Sequence, residues 1–526
     1  MTRTQVLIAG GGPVGMTLAL VLAHFGVSCA LVERNETTTR HPKMDITNAR
    51  SMELFARAGL ADALRAVAVP ESQPFDVAWI TTLTGEELHR FAYPGVGAFR
   101  EKMRRCNDGT MPSQPPMRVS QVVIEPVLKD AIDAHPLIDV RFGTAFDAFE
   151  QDSDGVTVTL STGETLGCAY LIGCDGGNSR VRDQLGIGQS GQAKVAERFI
   201  THFRSTDTDL LQRWGPAWHY QSDKGTLVAQ NDRDTWTLLS RFPDGLTFDQ
   251  VDPSALIETF AGAPIAHEII VCNGWWPNLL VADSYGEGRV WLAGDAVHQV
   301  IPTGGYGMNT GVGDAFDLGW KLAAILSGFG GSKLLAAYEH ERRPIALANC
   351  AGSARHNQVR LANGALYGAG LDTAELARRI AAHGNSENES FGLEMGYSYH
   401  ASPVILPCPV QAPAADPVAY RPDTLPGGRL PSVYLGDGSN IHDYLGRWFT
   451  LLCVGQCDAA GFVTAATALG VPLKVAAVDV SGHEALYQGP ALLIRPDQHI
   501  AWRGEPGDAA EAARILGHCL GQGTAA

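Results

Sequence analysis

The sequence predicts an α/β protein that is divided into several domains. Its 526 residues exceed what a single hydrophobic core normally holds. Near the N terminus, an apolar run is followed by a glycine-rich turn, a segment with helical periodicity and a second apolar run, which is the order of a parallel β-α-β unit. Two later apolar runs also lead into turns that contain an aspartate and glycines. We therefore predict parallel strands whose carboxyl ends lie side by side.

The composition is typical of a globular protein and argues against two classes of partner. The chain is 45% hydrophobic and 18% charged. Its formal net charge of -16 disfavours nucleic acid or an anionic membrane as the main partner, because either would be repelled. No uninterrupted apolar stretch reaches the roughly eighteen residues of a membrane span. We therefore expect a cytoplasmic protein.

The ten cysteines follow no repeated short spacing. The nearest pair, Cys453 and Cys457, has three residues between its members, one more than the common redox pair. We expect reduced thiols, with neither a zinc site nor a disulfide framework. His298 has no second ligand at metal spacing, so we expect a structural role for it and no bound metal.

The first glycine-rich turn, GGGPVG, has the context that a bound dinucleotide requires. Gly10 allows the tight turn, Gly12 lets the backbone approach a pyrophosphate, and Gly15 lets helix and strand pack closely. Pro13 suits the first turn of the helix. Glu33 ends the second strand, where its carboxylate would accept hydrogen bonds from an adenosine ribose. The motif predicts a dinucleotide without identifying it.

Two further motifs follow predicted strands. Asp175 lies in CDGG, after the strand predicted over 170–174. Asp295 lies in GDAVHQVIPTGGYGMNTG, after the strand predicted over 290–293, and a helix is predicted to begin near Thr310. The glycines of this loop would let a flat ring system lie against peptide N–H groups. Asp295 stands at the carboxyl end of its strand, where ligands of α/β sheets bind.

In order and spacing, these three motifs resemble those of the class A flavoprotein hydroxylases, the FAD-dependent aromatic monooxygenases that include p-hydroxybenzoate hydroxylase and phenol hydroxylase. The resemblance covers roughly residues 4–346. It implies a Rossmann-like FAD-binding domain with an interleaved antiparallel-sheet substrate domain. Three strand-like runs near the C terminus resemble the thioredoxin-like α/β domain of the phenol hydroxylase branch. Because that domain lacks CxxC, we expect a structural or dimer-contact role, as in a homodimer, rather than redox activity.

The resemblance also implies domain boundaries. The aromatic-rich segment 201–276 and the segment 75–91 are expected to form the antiparallel sheet over the substrate pocket. The FAD-binding domain is expected to comprise three stretches of the chain, 1–74, 101–187 and 283–402, the last of which includes a helical segment. The substrate domain is expected to comprise 75–100 and 188–282. A linker is predicted over 403–431, and the thioredoxin-like C-terminal domain over 432–526.

The cofactor-binding residues that the resemblance implies come from all three motifs and the segments between them. They are Gly10, Gly12, Pro13, Gly15, Glu33, Arg34, Lys43, Arg50, Gln121, Asp175, Asp295, Pro302, Gly305, Gly307, Met308 and Asn309. Lys43 departs from the family pattern, since many members have arginine there and a lysine cannot make bidentate contacts. Arg50 is expected to contact the flavin or the pyrophosphate. Gln121 matches a flavin-contacting glutamine, although a helix cap or surface residue is the alternative.

The segment HPKMDITNARSMELFARAGL at 41–60 resembles the one in which phenol hydroxylases carry a catalytic base, and it places Asp45 at that position. A base that deprotonates a phenol makes the ring electron-rich enough to attack oxygen. We expect a dry pocket to raise the pKa of Asp45 into a useful range. A solvated loop aspartate or a helix cap is the alternative.

The implied activity is monooxygenation of a phenolic or polycyclic aromatic substrate with O₂ through a flavin C4a-hydroperoxide. The implied cofactor is FAD, with NADPH or NADH as co-substrate. Two alternatives stay open at this point. One is Baeyer–Villiger oxidation or oxidative decarboxylation of a natural-product intermediate by the same cofactor. The other is a flavin-binding protein without catalysis.

Overall fold

The computed structural model describes residues 2–523, and these contain 24 strands and 14 α-helices. Met1 and residues 524–526, which belong to the first and last predicted domains, lie outside the described residues. The strands are β1 (Thr2–Ala9), β2 (Cys29–Glu33), β3 (Ile46–Thr47), β4 (Val77–Ile80), β5 (Glu87–Phe91), β6 (Met117–Arg118), β7 (Ile138–Phe142), β8 (Phe146–Gln151), β9 (Val156–Leu160), β10 (Thr165–Gly173), β11 (Gln189–Gln192), β12 (Arg198–Arg204), β13 (His219–Ser222), β14 (Gly225–Ala229), β15 (Thr235–Arg241), β16 (Glu268–Trp275), β17 (Leu279–Ala282), β18 (Gly286–Glu287), β19 (Val290–Leu292), β20 (His298–Gln299), β21 (Phe449–Val454), β22 (Leu473–Val478), β23 (Ala491–Ile494) and β24 (Ile500–Gly504).

The described residues also form 14 α-helices. They are α1 (Pro13–His24), α2 (Ala49–Arg57), α3 (Ala61–Ala66), α4 (Val96–Arg105), α5 (Gln121–Asp133), α6 (Arg180–Gln184), α7 (Thr208–Leu211), α8 (Pro253–Ala261), α9 (Tyr306–Leu326), α10 (Lys333–Leu366), α11 (Thr373–His383), α12 (Phe391–Met395), α13 (Ala460–Leu469) and α14 (Ala509–Cys519). None of the described helices combines the length and the apolar composition that a membrane crossing needs.

The first sheet is built on parallel strands in the order β18-β19-β10-β1-β2-β7, with β8 and β9 attached to β10. The strands from β19 to β7 are parallel, so the turns after β19, β10 and β1 lie at one edge. α1 packs against α9 in this domain. A Cβ added at Gly319 would lie 2.6 Å from Val21 Cγ1, so the absence of a side chain at Gly319 lets the two helices approach closely. The predicted α/β fold class is confirmed.

The second large sheet has seven strands in the order β16-β12-β15-β14-β13-β4-β5. It combines the two segments that were expected to form one antiparallel sheet, but β13 and β4, the strands that join the segments, are parallel to each other. One face, which we call the outer face, is a hydrophobic core with Tyr220, Trp236 and Leu238 packed against Ile257 and Phe260 of α8. Residues at alternate positions point to the opposite face. We call that opposite face the inner face, and it is directed toward the first domain.

The C-terminal sheet has the order β22-β21-β23-β24, in which β21 and β22 are parallel and the other pairs are antiparallel. α13 joins β21 to β22 and α14 follows β24, which agrees with the thioredoxin-like topology. Cys453 and Cys457 form a disulfide bond at the end of β21. The expectation that all cysteines are reduced is therefore wrong. Its reason, the lack of a two-residue spacing, overlooked that the turn after a strand brings Cα atoms four positions apart to 5.6 Å.

Buried ion pairs join the C-terminal domain to the first domain. Arg495 donates to Glu341 of α10 at 2.7 Å and to Asp317 of α9 at 3.0 Å. Lys321 also contacts both of these carboxylates. The carboxylates of Asp317, Glu341 and Asp497 lie within 4.8 Å of one another and could hold a metal ion. The two cations already balance most of their charge, so this cluster is an interface between domains and needs no metal.

The predicted linker at 403–431 contains no helix or strand, yet it is packed against both neighbours. Leu425 and Leu430 are buried, and Arg429 forms a β-bridge with His499. The Arg429 guanidinium pairs with Glu53 of α2. This segment thus fixes the C-terminal domain beside the helix that follows Asp45.

Two histidines at this interface predict acid sensitivity. Burial lowers the pKa of His442 and of His499 to about 4. In the unfolded chain both would take up a proton near pH 6.5, so the unfolded state binds more protons between pH 6.5 and 4, and stability falls as the pH is lowered through that window. We expect the thermal midpoint, measured by calorimetry, to decrease over this range. The decrease should be smaller in His499→Gln and unchanged in His340→Gln, since His340 is exposed. A midpoint that stays constant from pH 7 to 4.5 would contradict this prediction.

Candidate active site

The three glycine-containing loops meet at the carboxyl edge of the parallel sheet. A Cβ at Gly10 would lie 2.3 Å from the carbonyl oxygen of Cys174, so the first loop touches the one that carries Asp175. A Cβ at Gly294 would lie 3.0 Å from Val14 Cγ2, so the third loop touches the start of α1. Gly15 has the role predicted for it, because a Cβ there would lie 2.0 Å from the Gly10 oxygen.

Other glycines of the same loops face open space. No atom lies within 4 Å of a Cβ built at Gly12, Gly176 or Gly307. These positions therefore need no glycine for the packing of the chain itself. They leave peptide groups accessible at the N-termini of α1, which begins at Pro13, and of α9. Accessible N–H groups at a helix N-terminus bind anionic groups such as a pyrophosphate, so the loops fit FAD.

Asp295 lies in a single helical turn directly after β19, with its side chain exposed toward this open space. The side chain is accessible, but the protein around it limits its hydration and so raises its pKa, while the charges of His298 and Lys43 act in the opposite direction. Pro302 is also exposed and Met308 is buried. Asp295 is thus available to accept hydrogen bonds from a polyol.

Glu33 organises the end of β2. Its Oε2 accepts a hydrogen bond from the Gly11 N–H at 2.7 Å, and its Oε1 accepts one from the Asn35 N–H at 2.9 Å. The carboxylate is therefore held beside the glycine-rich turn. Arg34 is exposed and has no partner among the described residues. Both lie where the adenosine end of a dinucleotide is expected.

A second polar cluster lies near Asp295, in the cleft between the glycine loops and the seven-stranded sheet. It consists of Lys43, Gln121 and Glu125. Lys43 is exposed, and its charge acts on Asp295 and on Glu125. Gln121 is the first residue of α5, and its Nε2 donates to Glu125 Oε1 at 2.6 Å. Burial raises the pKa of Glu125. Glu125 escaped the sequence analysis, although it follows Gln121 by one helical turn.

Asp175 caps a helix in addition to facing the cleft region. Its Oδ2 accepts hydrogen bonds from the N–H groups of Arg180 and Val181, at the start of α6. Its Oδ1 is buried and has no hydrogen-bond partner among the described residues. The cap accounts for one oxygen only, and the other is free for a further donor.

Arg50 does not contribute its guanidinium to the cleft. The side chain is 3% exposed, and its nitrogens donate to Tyr397, to Glu53 and to residues of the C-terminal domain, namely the carbonyl oxygen of Asp497 at 2.5 Å and the Gln498 side chain. These bonds occupy the groups that a phosphate or flavin would need. We therefore correct the expected contact of Arg50 with the cofactor and assign it to the domain interface.

The segment carrying Asp45 is attached to the third glycine loop. Asn309 Nδ2 donates to the carbonyl oxygen of Ile46 at 3.1 Å, and Asn309 Oδ1 accepts from the Asn48 N–H at 3.0 Å. Gly305, in the left-handed region at φ 69°, precedes α9, which begins at Tyr306 and not near Thr310 as expected. The difference arises because Asn309 also bonds the Gly305 carbonyl oxygen, which closes the first helical turn earlier.

Asp45 is held by two aromatic residues of the seven-stranded sheet. Its Oδ2 accepts a hydrogen bond from Trp218 Nε1 at 2.9 Å and lies 3.6 Å from His219 Nε2. Its Oδ1 has no partner among the described residues, and the side chain is 23% exposed. One carboxylate oxygen is thus fixed and the other is open to the cleft.

The expectation that the pKa of Asp45 is raised is wrong. Burial acts to raise it, but the interactions with His219 and Trp218 and the charge of Arg118 outweigh burial and lower the pKa. The carboxylate therefore stays ionised at neutral pH. His219 was not among the predicted site residues, and it proves to be a partner of Asp45. The signal that could have revealed it is the polar alternation of His219 and Gln221 within a strand.

His298 has the structural role that was expected. It is fully buried, and its Nε2 lies 2.7 Å from Asp314 Oδ2, while Arg342 pairs with the other Asp314 oxygen at 2.8 Å. Asp314 also accepts the N–H of Gly294 at 3.2 Å. This network fixes the turn that carries Asp295.

The fold and this site define the class of the protein. Residues 3–353 match the family described as FAD binding domain, and residues 423–523 match the family described as aromatic-ring hydroxylase, C-terminal. The chain belongs to the FAD-binding family, and the resemblance seen in the sequence is confirmed. It is a flavin-dependent aromatic monooxygenase of the aromatic or polyketide natural-product type.

Relatives of known activity cover nearly the whole chain. The FAD-dependent monooxygenase apdD of Emericella nidulans is 36% identical, over 98% of this chain and 90% of its own length. Phenol 2-monooxygenase of a Pseudomonas species is 30% identical, over 96% and 90%. The flavin-dependent monooxygenase PieE, solved with FAD and substrate, superposes with a TM-score of 0.89 at 30% identity, over 99% of both chains. FAD binding is supported by the family and by such FAD-bound structures.

Proposed function

We propose that this enzyme uses NADPH or NADH and O₂ to hydroxylate a phenolic ring bound between the inner face of the seven-stranded sheet and the third glycine loop. The observation that carries the proposal is the position of Asp45. It is an ionised carboxylate with one open oxygen, joined through Ile46 and Asn309 to the loop that fits the flavin.

In this proposal FAD, held by the glycine loops and Asp295, would supply the redox chemistry: NAD(P)H would provide two electrons for the reduction of O₂, from which one oxygen atom would enter the ring and the other would leave as water. Asp45 Oδ1 accepts a hydrogen bond from the phenol hydroxyl and takes its proton in concert with oxygen transfer, which makes the ring electron-rich without requiring a raised pKa. Trp218 and His219 hold Oδ2 and keep the carboxylate oriented. The sheet, with apolar Val228 and Leu239 near Trp218, limits water at the ring. Arg50 has no role in these steps.

The test determines where the oxygen atoms of O₂ appear in the product. The purified holoenzyme is supplied with NADPH or NADH and a panel of phenols and polyketide-like aromatic compounds under ¹⁸O₂. We expect at least one compound to stimulate nucleotide oxidation and to gain one labelled oxygen as a ring hydroxyl. Label found as an ester or lactone would indicate Baeyer–Villiger oxidation, and loss of a carboxyl group would indicate oxidative decarboxylation. Either result would overturn the proposed hydroxylation.

The hydrogen bond from Trp218 predicts a shift in pH dependence. In Trp218→Phe, the pKa of Asp45 should rise because a donor to its charged form is lost. We expect the acidic limb of the kcat/KM profile to move upward by about one pH unit, since a hydrogen bond to a charged group contributes roughly 1.5–3 kcal/mol. Trp236→Phe is the matched control, because Trp236 is buried on the outer face and donates to Ser205 instead. An unshifted limb in Trp218→Phe would show that the profile does not report Asp45.

A further inference from the structure

Two arginines face each other on the seven-stranded sheet without a counter-ion. Arg198 of β12 is directly opposite Arg241 of β15. Like charges in such a position destabilise an antiparallel pair. Neither side chain forms an ion pair with any residue that the structure describes, and among these residues the only hydrogen bond of the Arg198 side chain is to the adjacent carbonyl oxygen of Glu197. The protein thus retains an unfavourable pair, in a chain whose net charge is strongly negative.

The pair lies on the inner face. Leu239 packs with Trp218 and Ile46, next to Asp45. Arg241 follows Leu239 by two positions in the same strand and therefore points to the same face. Arg198 shares that face, because residues directly opposite in a sheet point the same way. Arg198, which is partly buried, and Arg241, which is exposed, therefore lie on the face of the sheet that also carries Leu239 and is turned toward Asp45.

A third arginine, Arg360 of α10, lies near enough for its charge to act on Arg198. Burial of the Arg198 guanidinium lowers its pKa, and the positive charges of Arg241 and Arg360 lower it further. Arg360 itself binds both oxygens of Glu387 at 2.7 Å, and Glu387 accepts a hydrogen bond from Gln221 at 3.1 Å. Glu387 can neutralise only one of the three arginines, so a surplus of positive charge remains.

The register gives the separation between this surplus and the proposed catalytic base. His219, beside Asp45, is in register with Val228 and, through it, with Thr237. Arg241 lies four residues beyond Thr237, which is about 13 Å along the strand, and two strands across from His219, which is about 10 Å. A molecule that touches both ends must be longer than one benzene ring.

We propose that Arg198, Arg241 and Arg360 form an anion-binding site for a carboxylate at the far end of an extended aromatic substrate whose phenol lies at Asp45. The site rests on the proposed function for the identity of its ligand. Arginine suits this task because its planar guanidinium binds carboxylates with two parallel hydrogen bonds. The same chemistry would also accept a phosphate of NADPH, so the test separates the two sources.

The test measures binding to the oxidised holoenzyme, without turnover. The probes are 4′-hydroxybiphenyl-4-carboxylate and its methyl ester, which differ only in the charge at the far end. Each is titrated at low ionic strength while the absorbance and fluorescence of the bound FAD are followed. We expect the acid to bind on the order of tenfold more tightly than the ester, with a preference that weakens as salt is added.

The double variant Arg198→Gln/Arg241→Gln should lose this preference through weaker binding of the acid, with the ester unaffected. Arg233→Gln is the matched control, because Arg233 lies on the same sheet's β14–β15 turn with a side chain that is 83% exposed. Equal binding of acid and ester to the wild type, or an unchanged preference in the double variant, would overturn the proposal. Normal binding of FAD and of the ester shows that the variant is folded.

A second experiment tests whether the three arginines bind a phosphate of NADPH instead of a substrate carboxylate. The apparent KM for NADPH and the inhibition constant of 2′,5′-ADP are measured for wild type and double variant with the methyl ester as substrate. Unchanged constants support the carboxylate. A selective rise for NADPH would assign the arginines to the nucleotide phosphate and overturn the carboxylate site. Because binding is read without catalysis, failure of hydroxylation would refute the proposed function while leaving the acid preference measurable.

Discussion

Replacement of Asp45 by asparagine is expected to leave FAD bound and to reduce ring hydroxylation by about 10²–10⁴-fold, the range typical of a lost general base. Asparagine preserves the shape of the side chain and can still accept the hydrogen bond from Trp218. It cannot accept a phenol proton. The measurement is the rate of hydroxylated product against the rate of NAD(P)H oxidation, since reduction and oxygen consumption should persist while product formation falls.

The matched control is Asp244→Asn, an exposed aspartate after β15 of the same sheet. It should retain coupled turnover. Unchanged product formation in Asp45→Asn would remove Asp45 from the mechanism. Loss of FAD would instead identify the Asp45 side chain as a structural support of the loop, through its contacts with Trp218 and His219.

Features set by local sequence were predictable. The strand, glycine turn and helix around Gly10 and Pro13 follow from spacing and from residue type, because Gly10 adopts a positive φ of 113° and a Cβ at Gly15 would collide with the Gly10 oxygen. The meeting of the loops with Asp175 and Asp295 was also predictable, because strands of a parallel sheet place their carboxyl ends together. These elements position the site before any side-chain contact is considered.

Properties set by distant residues were not predictable. The pKa of Asp45 depends on Trp218 and His219, which are more than 170 positions away in sequence. They contact Asp45 only because the fold places the start of β13 beside it. Arg50 resembles a cofactor ligand in its local motif, but it is bound by residues near 497 after the C-terminal domain has packed on α2. A motif identifies a residue type at a position, whereas its electrostatic role depends on what the tertiary fold places opposite it.

The pairing of Arg198 with Arg241 belongs to the same class of feature. Each is an ordinary arginine near the end of a strand in the sequence. Only the register of β12 against β15 makes them neighbours, and only α10 brings Arg360 to them. The proposed carboxylate site therefore depends on long-range packing more than the glycine loops do.

Substitution of Gly12 by valine is expected to yield a folded protein that has lost FAD. Gly12 has φ -74° and ψ 179°, which any residue adopts, and a Cβ there would meet no atom within 4 Å. The fold should therefore tolerate the side chain. The branched side chain would occupy the path by which a pyrophosphate approaches the N-terminus of α1. Since hydrogen bonds to charged groups contribute roughly 1.5–3 kcal/mol each, losing two of them should raise the Kd for FAD by at least about 100-fold.

The variant Gly10→Ala shows what a loss of folding looks like, so that it can be distinguished from a loss of cofactor binding alone. It has φ 113°, and a Cβ would lie 2.3 Å from the carbonyl oxygen of Cys174, so Gly10→Ala should destabilise the apoprotein itself. Gly436→Val, at an exposed position in the C-terminal domain with equally open surroundings, should keep both fold and FAD. The thermal midpoint of each apoprotein and the flavin absorbance after reconstitution distinguish the three variants. If Gly12→Val binds FAD as the wild type does, the pyrophosphate does not lie at α1, and the open space at Gly12 has another purpose.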